Sequence, residues 1–214
     1  MNNELKGKLF KNFDNETVQV LDVVVDAIDE TDAVVYRSLD LDHKTYTMPK
    51  EEFECEFSPY TRNFETGLKA FIALKFYEGD ESKQLVDGIT NALSPLNINT
   101  FVAVRDIEKY GEVQGLDMAH FMPKYTFPEM ETSDLMIIEY SEAGAGLGMC
   151  ADHAFCHGVP LYLIAKTGSK ISTTVNSVAE KVIFYDDIAD ITAEFKKLID
   201  AGELKTNTKT CTIN

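Results

Sequence analysis

The feature that most constrains this chain is the segment Gly144-Ala145-Gly146-Leu147-Gly148-Met149-Cys150-Ala151-Asp152-His153-Ala154, which follows the apolar run Leu135-Met136-Ile137-Ile138. An apolar strand, glycines at three alternate positions and a small-residue helix start form an arrangement in which backbone N–H groups and a helix N-terminus face an anion or a sugar. The same residues would also serve a tight strand-to-helix turn, because glycine is the ordinary residue wherever backbone must approach backbone. Both readings predict a buried strand that feeds directly into a helix.

The residues around that segment alternate between the two periods. Ala70-Phe71-Ile72-Ala73-Leu74 reads as a first buried strand, and residues 81–93 place Leu85, Val86, Ile89 and Leu93 at helical spacing. Asn99-Thr100-Phe101-Val102-Ala103-Val104 supplies a second strand, residues 116–130 a helix, and 135–139 the third strand. Pro160-Leu161-Tyr162-Leu163-Ile164 and Lys181-Val182-Ile183-Phe184-Tyr185 give a fourth and a fifth, with a closing helix over 188–201. Five strands with intervening helices predict an α/β fold built on a doubly wound, right-handed parallel sheet. Its ligand crevice is expected beyond the strands' carboxyl ends, where Leu74-Lys75-Phe76, Arg105-Asp106, 139–148 and 166–176 converge.

The first sixty residues follow a different rule. Thr17-Val18-Gln19-Val20-Leu21, Val23-Val24-Val25, Ala33-Val34-Val35-Tyr36 and Lys44-Thr45-Tyr46-Thr47-Met48 are short β-rich segments separated by Asp, Asn and Glu-Thr turn signals. They predict a small, strongly bent antiparallel sheet or barrel, joined through the connector Ser58-Pro59-Tyr60-Thr61-Arg62-Asn63. The expected organisation is a β domain over 1–60, an α/β domain over 67–202 and a polar tail over 203–214.

With 36 acidic against 20 basic residues among 214, the formal charge is −16, divided evenly between the two parts at −8 each. Such a balance repels nucleic-acid backbones and anionic membrane surfaces, so neither is an expected partner. Cys55, Cys150, Cys156 and Cys211 have no C-x-x-C spacing and read as reduced thiols of a cytosolic chain. Met1-Asn2-Asn3-Glu4 opens no signal-peptide pattern, and the apolar runs are too short to span a membrane, so a cytoplasmic protein is expected. His153 and His157 share a helix with Cys150 and Cys156, at spacings that put some of them on one face. Without a second ligand cluster elsewhere in the sequence, no metal is implied.

Residues 69–198 resemble the nucleoside 2-deoxyribosyltransferase and deoxynucleoside-monophosphate N-glycosidase superfamily. Phe71-Ile72-Ala73-Leu74-Lys75-Phe76 is similar to its opening "F-I-A-M-P-F" strand, and Arg105-Asp106 to the "R-x-D" after the second strand. Ser133-Asp134-Leu135-Met136-Ile137-Ile138-Glu139 is similar to "A-D-x-V-V-A-E". Gly146-x-Gly148, followed by Ala154 and His157-Gly158-Val159-Pro160, is similar to "G-x-G-x-E-x-G-x-A … G-K-P". The resemblance implies a Rossmann-like or flavodoxin-like sheet, a nucleoside or nucleotide ligand, no cofactor, and a homodimer whose neighbours complete the site. The first domain resembles an uncharacterised small β-domain family, through Gly7-Lys8-Leu9-Phe10, Glu30-Thr31, Val34-Val35-Tyr36-Arg37-Ser38-Leu39 and Met48-Pro49…Phe53. That implies an SH3-like barrel and carries no activity.

Cleaving an N-glycosidic bond calls for a carboxylate beneath the anomeric carbon. The resemblance puts Cys150 where the superfamily has that glutamate, Gly144 where it has an Asp or Ser, and Thr126 where it has another Asp. A thiolate at Cys150, assisted by His153 or His157, would be one replacement, and Asp152 and Glu142 are the nearest acids. The ligand-contacting set the resemblance implies is Lys75, Phe76, Arg105, Asp106, Glu139, Gly144, Gly146, Gly148, Ser172 and Asn176. Within it, Ser172 opens the helix after Lys166-Thr167-Gly168-Ser169-Lys170, a phosphate-holding loop in the superfamily. Two functions stay open at this point: an enzyme acting on N-glycosidic bonds with a rearranged catalytic group, or an inactive nucleotide-binding sensor, sequestering or regulatory module.

Overall fold

The computed structural model describes residues 5–14, 16–39, 44–60, 67–77 and 79–207. They fall into two units, one within 1–62 and one within 63–207. The Met1–Glu4 opening, Thr61–Asn63 of the connector, Cys211 and residues 208–214 of the tail lie outside the described residues.

In the first unit, β1 (Leu9–Lys11), β2 (Thr17–Val25), β3 (Asp32–Ser38), β4 (Thr45–Pro49) and β5 (Ser58–Tyr60) form one antiparallel sheet, with α1 (Lys50–Glu56) before β5. The two β-rich segments at 17–21 and 23–25 are one strand with a register shift between Val20 and Asp22. Such a bulge bends a strand without ending it. The strand order is β4-β3-β2-β1-β5, and among the described residues no pairing joins β4 to β5. No closed barrel is found among the described residues, so the expected SH3-like barrel is not confirmed and the unit stands as a five-stranded antiparallel sheet. Helix α1 does the covering: Phe53, fully buried, lies 5.0 Å from Phe10 and 4.7 Å from Phe57 between ring centroids. Phe10, Phe53 and Phe57 thus form the core of this unit together with Val18, Val20 and Val34.

The second unit is a five-stranded, all-parallel sheet. Its elements in chain order are β6 (Leu68–Ala73), α2 (Asp80–Leu93), β7 (Ile98–Val102), α3 (Ala103–Asp106), α4 (Phe127–Glu131), β8 (Leu135–Glu139), α5 (Ala145–His157), β9 (Leu161–Lys166), α6 (Thr173–Asn176), β10 (Lys181–Tyr185) and α7 (Ile188–Asp200). The sheet order is β10-β9-β8-β6-β7. Alternate side chains of each strand enter opposite faces. Ile72, Ile137 and Ile164 meet Ile89 and Leu93 of α2 and Phe195 of α7, while Phe71, Met136, Ile138 and Leu163 meet Leu147, Cys150 and Ala154 of α5. Burial on both faces is why these strands read as unbroken apolar runs.

Three local outcomes differ from the sequence reading. Ala103 and Val104 leave the second strand and open α3, because the Asp106 carboxylate accepts the Val102 N–H at 2.7 Å and turns the chain. The single helix expected over 116–130 is broken into a 3₁₀ turn at Met118–His120, a wide turn at Met122–Thr126 and the short α4. Pro123 and Pro128 each remove a helical N–H donor there. Finally, residues 203–207 are tied to the body: the Lys205 N–H donates to the Tyr162 hydroxyl at 2.8 Å, and buried Asn207 donates through its side chain to the Glu131 and Ser133 carbonyls.

Candidate functional site

Strand order reverses between β6 and β8, since β6 connects to β7 on one side while the chain returns to β8 on the other. In open parallel sheets this leaves a crevice at the carboxyl ends. Here a cavity of about 460 Å³ occupies it, floored by 71–76 and 102–104, walled by the first turns of α5, and closed at the side by Phe121, Met122 and Thr126.

The helix turn facing the cavity is open. Gly144 is the N-cap of α5 with extended backbone and no side-chain cap, so the first N–H groups of the helix have no partner within it. A Cβ built on Gly146 or Gly148 would meet nothing within 4 Å, and one on Gly144 only Leu147 at 3.8 Å. These glycines are not required by close packing. Gly144 and Gly146 line the cavity together with Cys150; Gly148 does not.

Of the remaining expected residues, Lys75 and Phe76 also line the cavity. Lys75 Nζ pairs with Glu142 Oε2 at 2.8 Å, and the Tyr77 hydroxyl donates to the same oxygen at 2.8 Å. Glu142 thus stands beside the rim with its carboxyl held below the usual range by the bond from Lys75. Cys150 is buried among apolar neighbours, and that burial pushes its thiol up to about 11. Among the described residues no cation counters the shift, so the thiol is a poor nucleophile near neutral pH. Asp152 is exposed, two residues around the helix, with Cys156 Sγ at 4.0 Å from its Oδ1.

Arg105 and Asp106 face each other, with Nε–Oδ1 at 2.9 Å and Nη2–Oδ2 at 2.7 Å. Arg105 Nη1 also donates to the Thr90 hydroxyl at 2.8 Å, so this pair ties β7 to α2 and does not line this cavity. Glu139 is buried at the end of β8, accepting from the Ser141 hydroxyl and, at 3.0 Å, from the Tyr185 hydroxyl. Burial, and the carboxylate next to it, raise the Tyr185 phenol. Ser172 is the N-cap of the four-residue α6 without a side-chain cap bond, and Asn176 is exposed at its end; neither lines the cavity. His153 and His157 turn away from Cys150 toward Glu131, with His153 Nε2 at 3.1 Å from Glu131 Oε1. Burial, with His157 alongside, lowers His153 below the usual imidazole range.

Two cavity groups have no counterpart in the set read from sequence. Glu108 lines the cavity and makes no ion pair among the described residues; burial raises its carboxyl above the usual range. It is followed by Lys109, Tyr110 and Gly111 at φ of 49°, 55° and 89°. Two consecutive non-glycine residues in the left-handed region are strained, an arrangement that persists only where the surroundings impose it. Tyr110 is pinned by Phe76, 5.9 Å between ring centroids, and by Lys83 Nζ 5.1 Å above its ring. The second group is Thr126, 3% exposed, which lines the cavity and whose hydroxyl is buried with no hydrogen-bond partner among the described residues. The resemblance places Thr126 where the superfamily has an Asp, outside the ligand-contacting set read from sequence. Glu108 carried no sequence signal, because its orientation depends on that left-handed turn.

No family model matches the chain, and no curated protein does. Among solved structures, a 2-deoxyribosyltransferase from Bacillus psychrosaccharolyticus is 15% identical with a TM-score of 0.46, over 58% of this chain and 90% of that one. The CMP N-glycosidase BcmB of Clostridium botulinum is 12% identical at 0.42, over 60% and 98%. A conserved protein from Enterococcus faecalis V583 is 13% identical at 0.46, over 61% and 98%. Likeness at this level leaves the chemistry of the cavity to its own residues.

Proposed function

We propose that the parallel-sheet unit binds a nucleoside or nucleoside monophosphate in the cavity at the carboxyl ends of β6 and β7. The observation that carries this reading is the meeting, in one largely apolar cavity, of the open first turn of α5 with Glu108, a half-buried carboxyl that makes no ion pair among the described residues. The volume falls in the range of small-molecule sites. The free N–H groups of α5 suit a phosphate or sugar oxygen. Phe76 and Phe121 offer faces for a planar base. The nucleoside class itself comes from the motif resemblance set out above.

The geometry supports hydrolysis over transfer. A carboxylic acid with a raised pKa can give its proton to a departing base as the C–N bond breaks and water bonds to the anomeric carbon, returning a proton to the carboxylate, which assigns Glu108 the part of general acid. Transfer through a covalent intermediate needs a nucleophile beneath the sugar. Glu108 is the one carboxylate among the described lining residues, and the Cys150 thiol stays protonated. That same thiol favours the second reading, a module that holds the ligand without acting on it.

Calorimetric titration against a panel of nucleosides and 5′-monophosphates, with the mixtures assayed for free base by HPLC, tests both. Binding with base release that Glu108→Gln abolishes, while affinity persists, supports hydrolysis. Binding without release supports the sequestering module. Failure of the whole panel to bind overturns the proposal.

A further inference from the structure

Away from the cavity, the end of α4 and the last two turns of α5 bring three ligand-type atoms together. Glu131 Oε1 lies 3.1 Å from His153 Nε2 and 3.8 Å from His157 Nε2, and the three atoms all lie within 4.8 Å of one another. We propose that Glu131, His153 and His157 bind a borderline divalent cation of the Zn²⁺ type. None of the three lines the cavity.

His157 Nδ1 lies 2.9 Å from the His153 carbonyl oxygen, a group that only accepts, so this nitrogen donates. That leaves His157 Nε2, 3.8 Å from Glu131 Oε1, as the ring's ligand atom facing the carboxylate. A cation at that point satisfies both. Donation from the other ring nitrogen to a backbone carbonyl is also how metal-bound imidazoles are commonly oriented.

His153 stacks on Phe127 at 3.9 Å and 8° on one side and on His157 at 4.0 Å and 26° on the other, so rotation of a ring out of this stack accompanies coordination of one cation by both. The i, i+4 spacing puts both histidines on one helix face. Tetrahedral coordination at ordinary Zn–N and Zn–O lengths separates ligand atoms by about 3.4 Å, close to the distances present. His157 is 39% exposed along its side chain, which gives an entry path and leaves a fourth position to water. The cation would clamp α4 to α5. The sequence hid this site because its third ligand comes from another element, 22 residues before His153.

The test uses the full chain after chelator treatment and desalting. Zn²⁺ alone is titrated by calorimetry, melting is followed with and without it, and Co²⁺ is added to record its visible spectrum. Expected are one saturable equivalent, a rise in Tm with Zn²⁺, and a Co²⁺ spectrum of nitrogen and oxygen ligation without a thiolate charge-transfer band. His157→Gln, checked for folding by circular dichroism, is expected to weaken binding at least ten-fold, while Cys156→Ser leaves it unchanged. Absence of saturable binding, undiminished affinity in His157→Gln, or a thiolate band from an exposed cysteine would each overturn the proposal. The Co²⁺ spectrum of the unaltered chain keeps the test decisive should the variant not fold.

Discussion

At the scale of single residues, the account turns on groups whose surroundings set their protonation. Burial raises the Glu108 carboxyl, so the folded chain holds that proton more tightly than the unfolded chain does. Ionisation therefore opposes folding, and this penalty is present at neutral pH and vanishes as pH falls below the ordinary carboxylate range. Glu108→Gln is accordingly expected to raise the melting temperature at pH 7 relative to the parent, with the gain shrinking toward pH 4; an unchanged or lowered Tm at pH 7 would contradict the environment described. Any base release that depends on Glu108 as an acid should likewise decline as pH rises through its raised pKa. Cys150 has the opposite consequence for reactivity. With its thiol at about 11, only about a thousandth is thiolate at pH 8. Mass spectrometry after iodoacetamide treatment should show exposed Cys55 and Cys156 alkylated well before Cys150.

At the scale of elements, the strands of the second unit were legible because a sheet covered on both faces demands apolar residues at consecutive positions, as in Leu135–Glu139, which is buried throughout. Helices α2 and α7 were legible through their apolar stripes. What the sequence did not disclose depends on tertiary contacts. The left-handed pair Lys109 and Tyr110 contains no glycine to announce it, yet it places Glu108 in the cavity. Helix α1 is barely two turns long and shows only Phe53 and Phe57 as apolar anchors, too few for a periodic signal. Closure of the first sheet likewise depends on whether its edge strands meet, which strand patterning does not encode. The cap of α7 is a local feature with a local consequence: the Asp187 side chain accepts from Ala189 N–H while Asp190 accepts from the Asp187 backbone. Asp187→Ala should lower stability by about 1 kcal/mol in a denaturant titration, without altering ligand affinity.

At the scale of the whole molecule, the chain joins a five-stranded antiparallel sheet with an aromatic core to a parallel sheet with a cavity, on a formal charge of −16. No helix among the described residues is long and apolar enough to cross a membrane. The central claim is that the cavity at the ends of β6 and β7 receives a nucleoside-type ligand against the first turn of α5, and two glycines provide a matched test. Alanine at Gly146 or Gly148 meets nothing in the folded chain, so each should stabilise α5 by up to about 1 kcal/mol. Only Gly146 lines the cavity. Calorimetric titration of the best-binding member of the nucleoside panel into Gly146→Ala and Gly148→Ala is therefore the most direct measurement. The account expects affinity to fall at least ten-fold in Gly146→Ala and to hold in Gly148→Ala, with both proteins folded; equal affinity in the two variants would contradict it.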